Sequence, residues 1–510
     1  MERVRLAVPG PFDGERGGVR ARWLDLPGTV VGTWTFGVGA ADEPPHLAGI
    51  THLAEHLLFR TIGDVGHRAN GVTGPDTVTF YTGGTPREVA DFLEAVAGAV
   101  RDCRFTREDL VRELHVIRAE RPGGDAADPG LLTYRYGLGG LGVAGAGWPA
   151  LPSITVDEVR DWVRHWFVAG NAVLTSTAPL PVDLAVGLPA GRRPRRTVPE
   201  PLVRVPTLVE SPKNGVAASL LVPTAHAEVL LECLERELHD ELRGARALVY
   251  TVRGHATPVG AAEVQLDLVL DPVVDDVPAT VDGVVTTLRR VAGRGIRAEV
   301  LTEAVATIAA RRRWWADPVD QLDAWAEATL MGRDAPRTPD AAVEHARSAT
   351  AEELSRTLAA ALRTLVVAHE QGPDLTSRAS ALGLEVDDGL PWQAAPRAYA
   401  VPRSVRWHRG RGEARGARMA VDGADLWGRV GGDLRWLPLA DLVVVARDAT
   451  GAVQLVDRRG RGWGIDPAEW RRGDDLVGAV VAGASRAVVR DATWPDRGRA
   501  AFARGSEGRS

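Results

Sequence analysis

The apolar residues of the first part of the chain repeat with two different periods. Val30, Gly32, Trp34, Phe36 and Val38 alternate as one face of a strand, and residues 77–82 are strand-like as well, so two strands are predicted. Thr85, Thr106 and Thr155 each stand three residues before an acidic residue and open a segment with helical spacing, so we expect three capped helices. The third helix leads into the strand-like residues 171–175. The pattern predicts a domain of the α+β class over residues 1–187.

The ending of this region recurs later in the chain. Thr350 opens a capped helix 195 residues after Thr155, and strand-like residues 364–368 follow it. This offset suggests two related α+β halves. A stretch rich in Pro, Gly and Arg at 188–205 separates them and is interpreted as a linker, so the second half covers residues 206–390.

The last part of the chain has a different character. Residues 442–445 and 453–456 are strand-like, and a closing helix is expected from Pro467 to about Val481. We therefore predict a small β-rich domain over residues 391–500 and a disordered tail at 501–510. A run of arginines at 403–418 could face an anionic surface, although a flexible basic linker is the simpler interpretation.

Composition narrows the possible classes of protein. With 45% hydrophobic and 25% charged residues, the 510-residue chain has the make-up of a globular protein. The net charge of −6 argues against a nucleic-acid binder. No apolar run is long enough for a membrane span, and the N-terminus lacks the apolar stretch of a signal peptide, so a cytoplasmic location is expected. Cys103 and Cys233 are isolated, and any metal must therefore be held by His and carboxylate groups.

Residues 49–59 contain an HxxEH motif on a helical pattern. His52 and His56 are four residues apart, so both imidazoles project from one helix face and can bind one metal ion. Glu55 lies one step round the helix, where it could act on a water molecule at the metal without being a ligand. HxxEH is the inverzincin signature, although two surface histidines on an ordinary helix are the alternative.

A site with two histidines needs a third protein ligand if one position is to stay open for water. The helix after Thr106 carries Glu113 and Glu120, seven residues apart and therefore on one face. An acidic pair of this kind is most often a solvated face, but its position after HxxEH in the same predicted domain makes it a candidate for the missing ligand.

With these motifs the chain resembles the M16 peptidases, the group of pitrilysin, insulysin and the mitochondrial processing peptidase. The resemblance covers about residues 15–375. It implies that His52, His56 and Glu120 bind Zn²⁺, that Glu55 is the general base, and that Glu113 supports a ligand from behind. Residues 70–77 are similar to the family's active-site strand, which places Asn70 beside the substrate backbone.

A second family motif follows the linker. Arg243 and Tyr250 keep the seven-residue spacing of an arginine and a tyrosine that reach the active site from the second half, where they would bind the substrate carbonyl and stabilise the oxyanion. One departure from the family is that only 64 residues separate His56 from Glu120, fewer than usual. The missing piece is expected to be the helix between HxxEH and the Asn70 strand.

The resemblance also implies a fold and an activity. The fold class would be α+β, with two M16-type α/β sandwich domains followed by the small β-rich domain, whose elements resemble a PH-like barrel. The activity would be zinc-dependent endopeptidase action on peptides inside a clam-shell chamber, formed by a homodimer or by a heterodimer with a sister chain. The alternatives are a non-catalytic M16-like subunit that binds peptide or supports a partner peptidase, and a metal-dependent hydrolase with another substrate.

Overall fold

The computed structural model describes residues 11–63, 68–120, 130–145, 147–196, 200–203, 206–211, 215–314, 317–387, 393–394, 405–430 and 433–494. The predicted tail at 501–510, Arg403 and parts of the predicted linker lie outside these ranges. No helix in the described ranges is both long and apolar enough to cross a bilayer.

The first sheet has six strands in the order β1-β2-β6-β3-β5-β4. Its strands are β1 (Phe12–Arg16), β2 (Val19–Trp23), β3 (Val30–Phe36), β4 (Asn70–Thr73), β5 (Val78–Gly84) and β6 (Ala172–Ser176). Only β2 and β6 pair in parallel. The strands predicted at 30–38, 77–82 and 171–175 are therefore confirmed as β3, β5 and β6.

The described helices between these strands are α1 (Ile50–Ile62), α2 (Pro86–Asp102), α3 (Arg107–Glu120), α4 (Leu131–Tyr136) and α5 (Val156–Trp166). Helices α2, α3 and α5 begin where the capping patterns predict. At Thr85, Thr106 and Thr155 the threonine hydroxyl accepts the backbone N–H three residues on, and the acidic side chain there accepts the threonine N–H. Each of the three helices thus satisfies two terminal donors with its own side chains.

The second sheet repeats the first. Its strands are β7 (Thr207–Ser211), β8 (Val216–Pro223), β9 (Val249–Pro258), β10 (Glu263–Pro272), β11 (Val366–Glu370) and β12 (Glu385–Asp387), in the order β12-β7-β11-β8-β10-β9. The series β7-β11-β8-β10-β9 has the same succession of one parallel and three antiparallel pairings as β2-β6-β3-β5-β4. Five matching strands support the two related halves that the 195-residue offset suggested.

Seven helices accompany this second sheet in the described ranges. They are α6 (Thr224–Leu238), α7 (Val277–Arg294), α8 (Ala298–Trp314), α9 (Pro318–Met331), α10 (Pro339–Ser348), α11 (Ala351–Ala361) and α12 (Thr376–Ala381). The core between sheet and helices is aliphatic, with Leu220, Leu266, Leu234 and Val284 fully buried. Helix α9 instead packs on the first sheet, where Trp325 and Leu330 cluster with Val173 of β6.

The C-terminal module is β-rich, as predicted. One sheet has the order β13-β17-β16-β15-β14 and the other β20-β19-β18-β21. Their strands are β13 (Gln393–Ala394), β14 (His408–Arg409), β15 (Arg418–Val421), β16 (Asp425–Val430), β17 (Asp433–Pro438), β18 (Leu442–Arg447), β19 (Val453–Asp457), β20 (Gly462–Ile465) and β21 (Val489–Asp491). The predicted strands at 442–445 and 453–456 are β18 and β19, and the likeness to a PH-like barrel stays a prediction.

The closing helix of this module begins later than the sequence predicted. Pro467–Glu469 forms a single 3-10 turn, and helix α13 runs over Gly473–Gly483. Arg472 has a left-handed backbone with φ 55°, which breaks any continuous helix from Pro467. Gly473 follows because a Cβ atom there would lie 2.0 Å from the carbonyl oxygen of Pro467.

The chain forms two compact units that do not follow the predicted domain boundaries. One unit comprises Met1–Val38, Ile62–Asp102 and Arg164–Asp388, and so contains both six-stranded sheets. The other comprises Gly39–Thr61, Cys103–Val163 and Gly389–Ser510. Helices α1 and α3 therefore share a unit with the C-terminal module, and the candidate metal ligands lie within that unit.

Candidate metal centre

Helices α1 and α3 run antiparallel, as the contacts between their side chains show. His52 faces Glu120, His56 faces Glu113, and Arg60 faces both Asp109 and Glu113. The residue numbers of the partners on α3 fall from 120 to 109 as those on α1 rise from 52 to 60. This arrangement brings the HxxEH motif of α1 against the face of α3 that carries the two glutamates.

The three predicted ligands form a compact triangle. The Nε2 atoms of His52 and His56 are 3.2 Å apart, and Oε2 of Glu120 lies 3.7 Å from the first and 3.5 Å from the second. Three N and O atoms bound at 2.0–2.1 Å to one tetrahedral zinc ion lie about 3.4 Å from one another. The donor set and its spacing therefore fit a zinc ion with one position left for another ligand.

Glu113 supports one of these ligands from behind. Its Oε2 lies 3.1 Å from Nδ1 of His56, and both side chains are largely buried. A carboxylate in this position accepts the Nδ1 proton, which leaves the lone pair on Nε2 directed toward the triangle. The sequence-predicted partner of a ligand is therefore placed where it orients His56.

Arg60 extends this contact into a link between the two helices. It donates to Oε1 of Glu113 at 3.2 Å and to Oδ1 of Asp109 at 2.7 Å. The hydrogen bond from Arg60, followed by those from Thr106, holds the pKa of the Asp109 carboxyl at about 2. The same aspartate caps α3, so the end of α1 and the start of α3 are joined through one charged group.

Glu55 lies beside the triangle without belonging to it. Its Oε2 is 4.0 Å from Nε2 of His52, and the side chain is almost completely buried. A carboxylate at this distance can take a proton from a water molecule next to the ligands. This placement agrees with the sequence prediction that Glu55 is not itself a ligand.

The N-terminus of α1 is held by a residue that the sequence analysis did not identify. Both oxygens of Glu43 accept backbone N–H groups, from Gly49 at 2.7 Å and from Thr51 at 2.8 Å. Burial raises the pKa of Glu43 to about 7, against the opposing effect of these hydrogen bonds. Glu43 thereby fixes the turn of helix that carries His52, and no periodic pattern in the sequence signals this role.

Trp148 is a second residue that only the structure reveals. Its ring centroid lies 5.4 Å from that of His52. A Cβ atom on Gly49 would come within 3.1 Å of the same indole, so the close approach needs glycine, which also has a positive φ of 93°. Arg60, by contrast, had a sequence signal, because it stands four residues after His56 on the same helix face.

The remaining predicted site residues belong to the unit that contains both sheets. Asn70 lies on the edge strand β4, and its Nδ2 is 3.3 Å from the hydroxyl of Tyr81. Arg243 lies in a π-helical segment, His239–Ala245, and its guanidinium is 5.0 Å from the ring centroid of Tyr250 at the start of β9. The structure thus brings Arg243 and Tyr250 together, with 71% of Tyr250 exposed.

Helix α1 ends at Ile62 and β4 begins at Asn70, which leaves a short connection between them. The described residues of this connection, 63 and 68–69, form no helix. The short spacing between His56 and Glu120 therefore does not disturb the ligand triangle, since the ligands are placed by α1 and α3.

Comparison with known proteins gives a match at the level of structure only. No protein-family model and no curated protein matches the chain. A solved structure described as a peptidase M16 inactive domain from Pseudomonas fluorescens is 16% identical, with a TM-score of 0.58 over 71% of this chain and 98% of that one. A putative M16-like peptidase from Alicyclobacillus acidocaldarius is 17% identical, with a TM-score of 0.57 over 72% and 99% of the two chains.

A third similar structure is the periplasmic protease PqqL from Escherichia coli. It is 12% identical, with a TM-score of 0.58 over 82% of this chain, which spans 56% of that protein. Together these structures confirm the predicted fold class: the chain has the α+β fold of the M16 peptidases, with additional C-terminal β-sheets.

Proposed function

We propose that this chain, which has the M16 fold, is a zinc-dependent endopeptidase of the M16 family. The observation that carries the proposal is the triangle of His52, His56 and Glu120 with edges of 3.2 to 3.7 Å. A zinc ion bound there would supply a Lewis acid that polarises the scissile carbonyl and lowers the pKa of water. Two histidines and one glutamate, with a fourth position open, are a ligand set of catalytic zinc sites.

Four residues of the chain would have separate roles in the proposed reaction. Glu55 accepts a proton from the attacking water at its carboxylate and returns it to the leaving amine. Glu113 keeps the Nδ1 proton of His56 in place, so that Nε2 stays a ligand. Arg243 and Tyr250 are proposed to bind the substrate carbonyl and to donate to the oxyanion as it forms.

The proposed substrate is a peptide or an unfolded segment of a protein. The chain holds both the HxxEH motif and the Arg243/Tyr250 pair, so two copies could form a complete clam shell. A heterodimer with a sister chain is the competing assembly. The mass of the purified protein in solution separates the two.

The rival function is a non-catalytic subunit that binds peptide or supports a partner peptidase. One of the similar structures is described as an inactive M16 domain, so the fold alone does not decide between the two functions. A non-catalytic subunit would not require the carboxylate of Glu55, whereas the proposed peptide hydrolysis depends on it.

The deciding experiment measures zinc content and cleavage of a quenched peptide library with the wild-type protein and with Glu55→Gln. We expect Glu55→Gln to keep one zinc ion and to lose about 10²- to 10⁴-fold in kcat/KM, the usual contribution of a general base. Glu108→Gln, an exposed change on α3, is the matched control and should cleave normally. Cleavage by Glu55→Gln at the wild-type rate would contradict the proposal, and a zinc-loaded wild type without any turnover would favour the rival.

A further inference from the structure

One face of the five-stranded sheet in the C-terminal module carries a row of arginines. Arg409 of β14 lies directly opposite Arg418 of β15, and Arg418 lies directly opposite Arg429 of β16. Arg471 continues the row, since it donates its backbone N–H to the carbonyl of Arg409 beside the bridge between Gly410 and Trp470. Residues directly opposite one another project from the same face, so the four arginines, which we call the arginine row, span about 14 Å at ordinary strand spacing.

Like charges directly opposite one another destabilise a sheet. All four arginines of the row are exposed, and within the described part of the chain none of them has a carboxylate partner. Several other arginines of the module do have partners. Arg447 pairs with Asp491 at 2.6 Å, Arg458 with Asp441 at 3.5 Å and Arg490 with Glu158 at 2.7 Å. The row is therefore a local concentration of positive charge in a chain whose net charge is −6.

The surroundings of the row indicate which anion it suits. A membrane-binding surface joins basic residues to exposed apolar side chains, and a single-stranded nucleic-acid platform needs exposed aromatic rings. In the described part of this module no large apolar side chain is exposed. Trp427 is buried, and the half-buried Trp407 lies against the guanidinium of Arg429 at 5.7 Å from ring centroid to Cζ. The row offers planar guanidinium groups and little else.

We propose that the arginine row binds a peptide segment rich in aspartate and glutamate. Guanidinium groups bind carboxylates through paired hydrogen bonds, and adjacent strands present one such group about every 5 Å. Clusters of arginine are a recurring means of recognising acidic motifs in peptides. This binding needs no zinc and no turnover, so it is independent of the proposed peptidase activity.

The test measures the fluorescence anisotropy of fluorescein-labelled deca-glutamate with the full chain carrying Glu55→Gln, so that the probe is not consumed. We expect saturable binding in about 50 mM salt that weakens as salt is raised, because exposed charge pairs are screened. Arg418→Glu, at the centre of the row, should raise the Kd by about tenfold or more. Arg486→Glu, an exposed change elsewhere in the module, should leave the Kd within about twofold.

The Tm of the Arg418→Glu variant shows whether weaker binding results from misfolding. Arg418→Glu places a carboxylate between two guanidinium groups, so its Tm should equal or exceed that of the parent protein. If the Tm falls instead, Arg418→Gln replaces it in the binding test. Equal weakening by the changes at Arg418 and Arg486, or no binding of deca-glutamate at low salt, overturns the proposal. Tighter binding of oligo-dT or of vesicles containing phosphatidylglycerol, lost on the change at Arg418, overturns it in favour of those ligands.

Discussion

At the scale of single residues, Glu113 lies where it would orient His56 as a proposed metal ligand. The Nδ1 atom of His56 has this carboxylate 3.1 Å away, and Arg60 holds the carboxylate from its other side. A proton on Nδ1, donated to this carboxylate, would leave the lone pair on Nε2 directed toward the other candidate ligands before any metal binds.

Glu113→Gln should weaken zinc binding by about 10- to 100-fold, the usual loss when a partner behind a metal-binding histidine is removed. Competition with a chelator of known affinity measures this change. Glu120→Gln, which removes a proposed ligand, should lose more, and Glu108→Gln should lose nothing. Wild-type affinity in the Glu113 variant would show that His56 needs no carboxylate behind it.

Glu43 makes the stability of α1 depend on pH. Its pKa is raised from 4.5 in the unfolded chain to about 7 in the folded one, chiefly by burial. The folded protein therefore holds a proton that the unfolded chain has released. The contribution of Glu43 is fully present below about pH 4.5 and is lost as the pH rises to about 7 and above.

The integrated effect is about 3 kcal/mol between these two pH values. We expect the free energy of unfolding of the wild type, minus that of Glu43→Gln, to fall by roughly this amount from pH 4.5 to pH 8. Urea unfolding of both proteins in the presence of a chelator measures the difference. A difference that stays constant with pH would show that Glu43 is ionised throughout.

At the scale of elements, the start of α1 has room for no side chain at Gly49. Its φ is 93°, and a Cβ atom would lie 3.0 Å from Leu151 and 3.1 Å from the ring of Trp148. Because Trp148 also contacts His52, any shift of Trp148 that makes room for a methyl group at residue 49 would also displace the candidate ligand His52.

Gly49→Ala should lower the free energy of unfolding by about 2 to 4 kcal/mol, since backbone strain and overpacking add. Gly63→Ala is the control, because Gly63 has a similar φ of 82° with nothing within 4 Å, and it should cost only about 1 kcal/mol. Thermal unfolding of the two variants gives the comparison. Equal losses would mean that the contacts at Gly49 are relieved without cost.

The elements also show what a sequence pattern can predict. The capped helices after Thr85, Thr106 and Thr155 were predictable because a capping box and an apolar stripe are local signals. The order of strands in each sheet was not, since pairings such as β2 with β6 join residues about 150 apart. The late start of α13 was missed because nothing in the sequence marks Arg472 as left-handed.

The candidate site likewise combines residues that sequence patterns predict with residues that they do not. Fixed spacings on single helices identified His52, His56, Glu113 and Glu120 as a set. Glu43 and Trp148 reach the site through irregular segments without periodicity, so only the fold reveals them. The arginine row depends on the register of three strands, and the linear sequence showed only a basic run.

At the scale of the whole molecule, the C-terminal module is joined to the segment that follows α3. Arg490 of β21 donates two hydrogen bonds to the carboxylate of Glu158, at 2.7 and 2.9 Å, and two more to Ser153. An apolar cluster adjoins this contact, in which Leu138 and Ala150 pack against Val444 and Val456. The module is therefore part of the unit that holds the candidate metal ligands.

Arg490→Met should lower the free energy of unfolding by about 2 to 3 kcal/mol, because it leaves the half-buried Glu158 without its charged donor. Arg486→Met, at an exposed position close by, should cost less than about 0.5 kcal/mol. Urea unfolding measures both changes. Similar values for the two would indicate that the module is held by its apolar contacts alone.

The antiparallel pairing of α1 and α3 has a consequence for how such sites are found. The pairing fixes the three candidate ligands by helix register, so the length of chain between His56 and Glu120 is free to change without moving them. A search pattern that demands a set interval between the two motifs would overlook this chain. A pattern that asks for HxxEH on one helix, and for two glutamates seven apart on a later helix, would retrieve it at any interval.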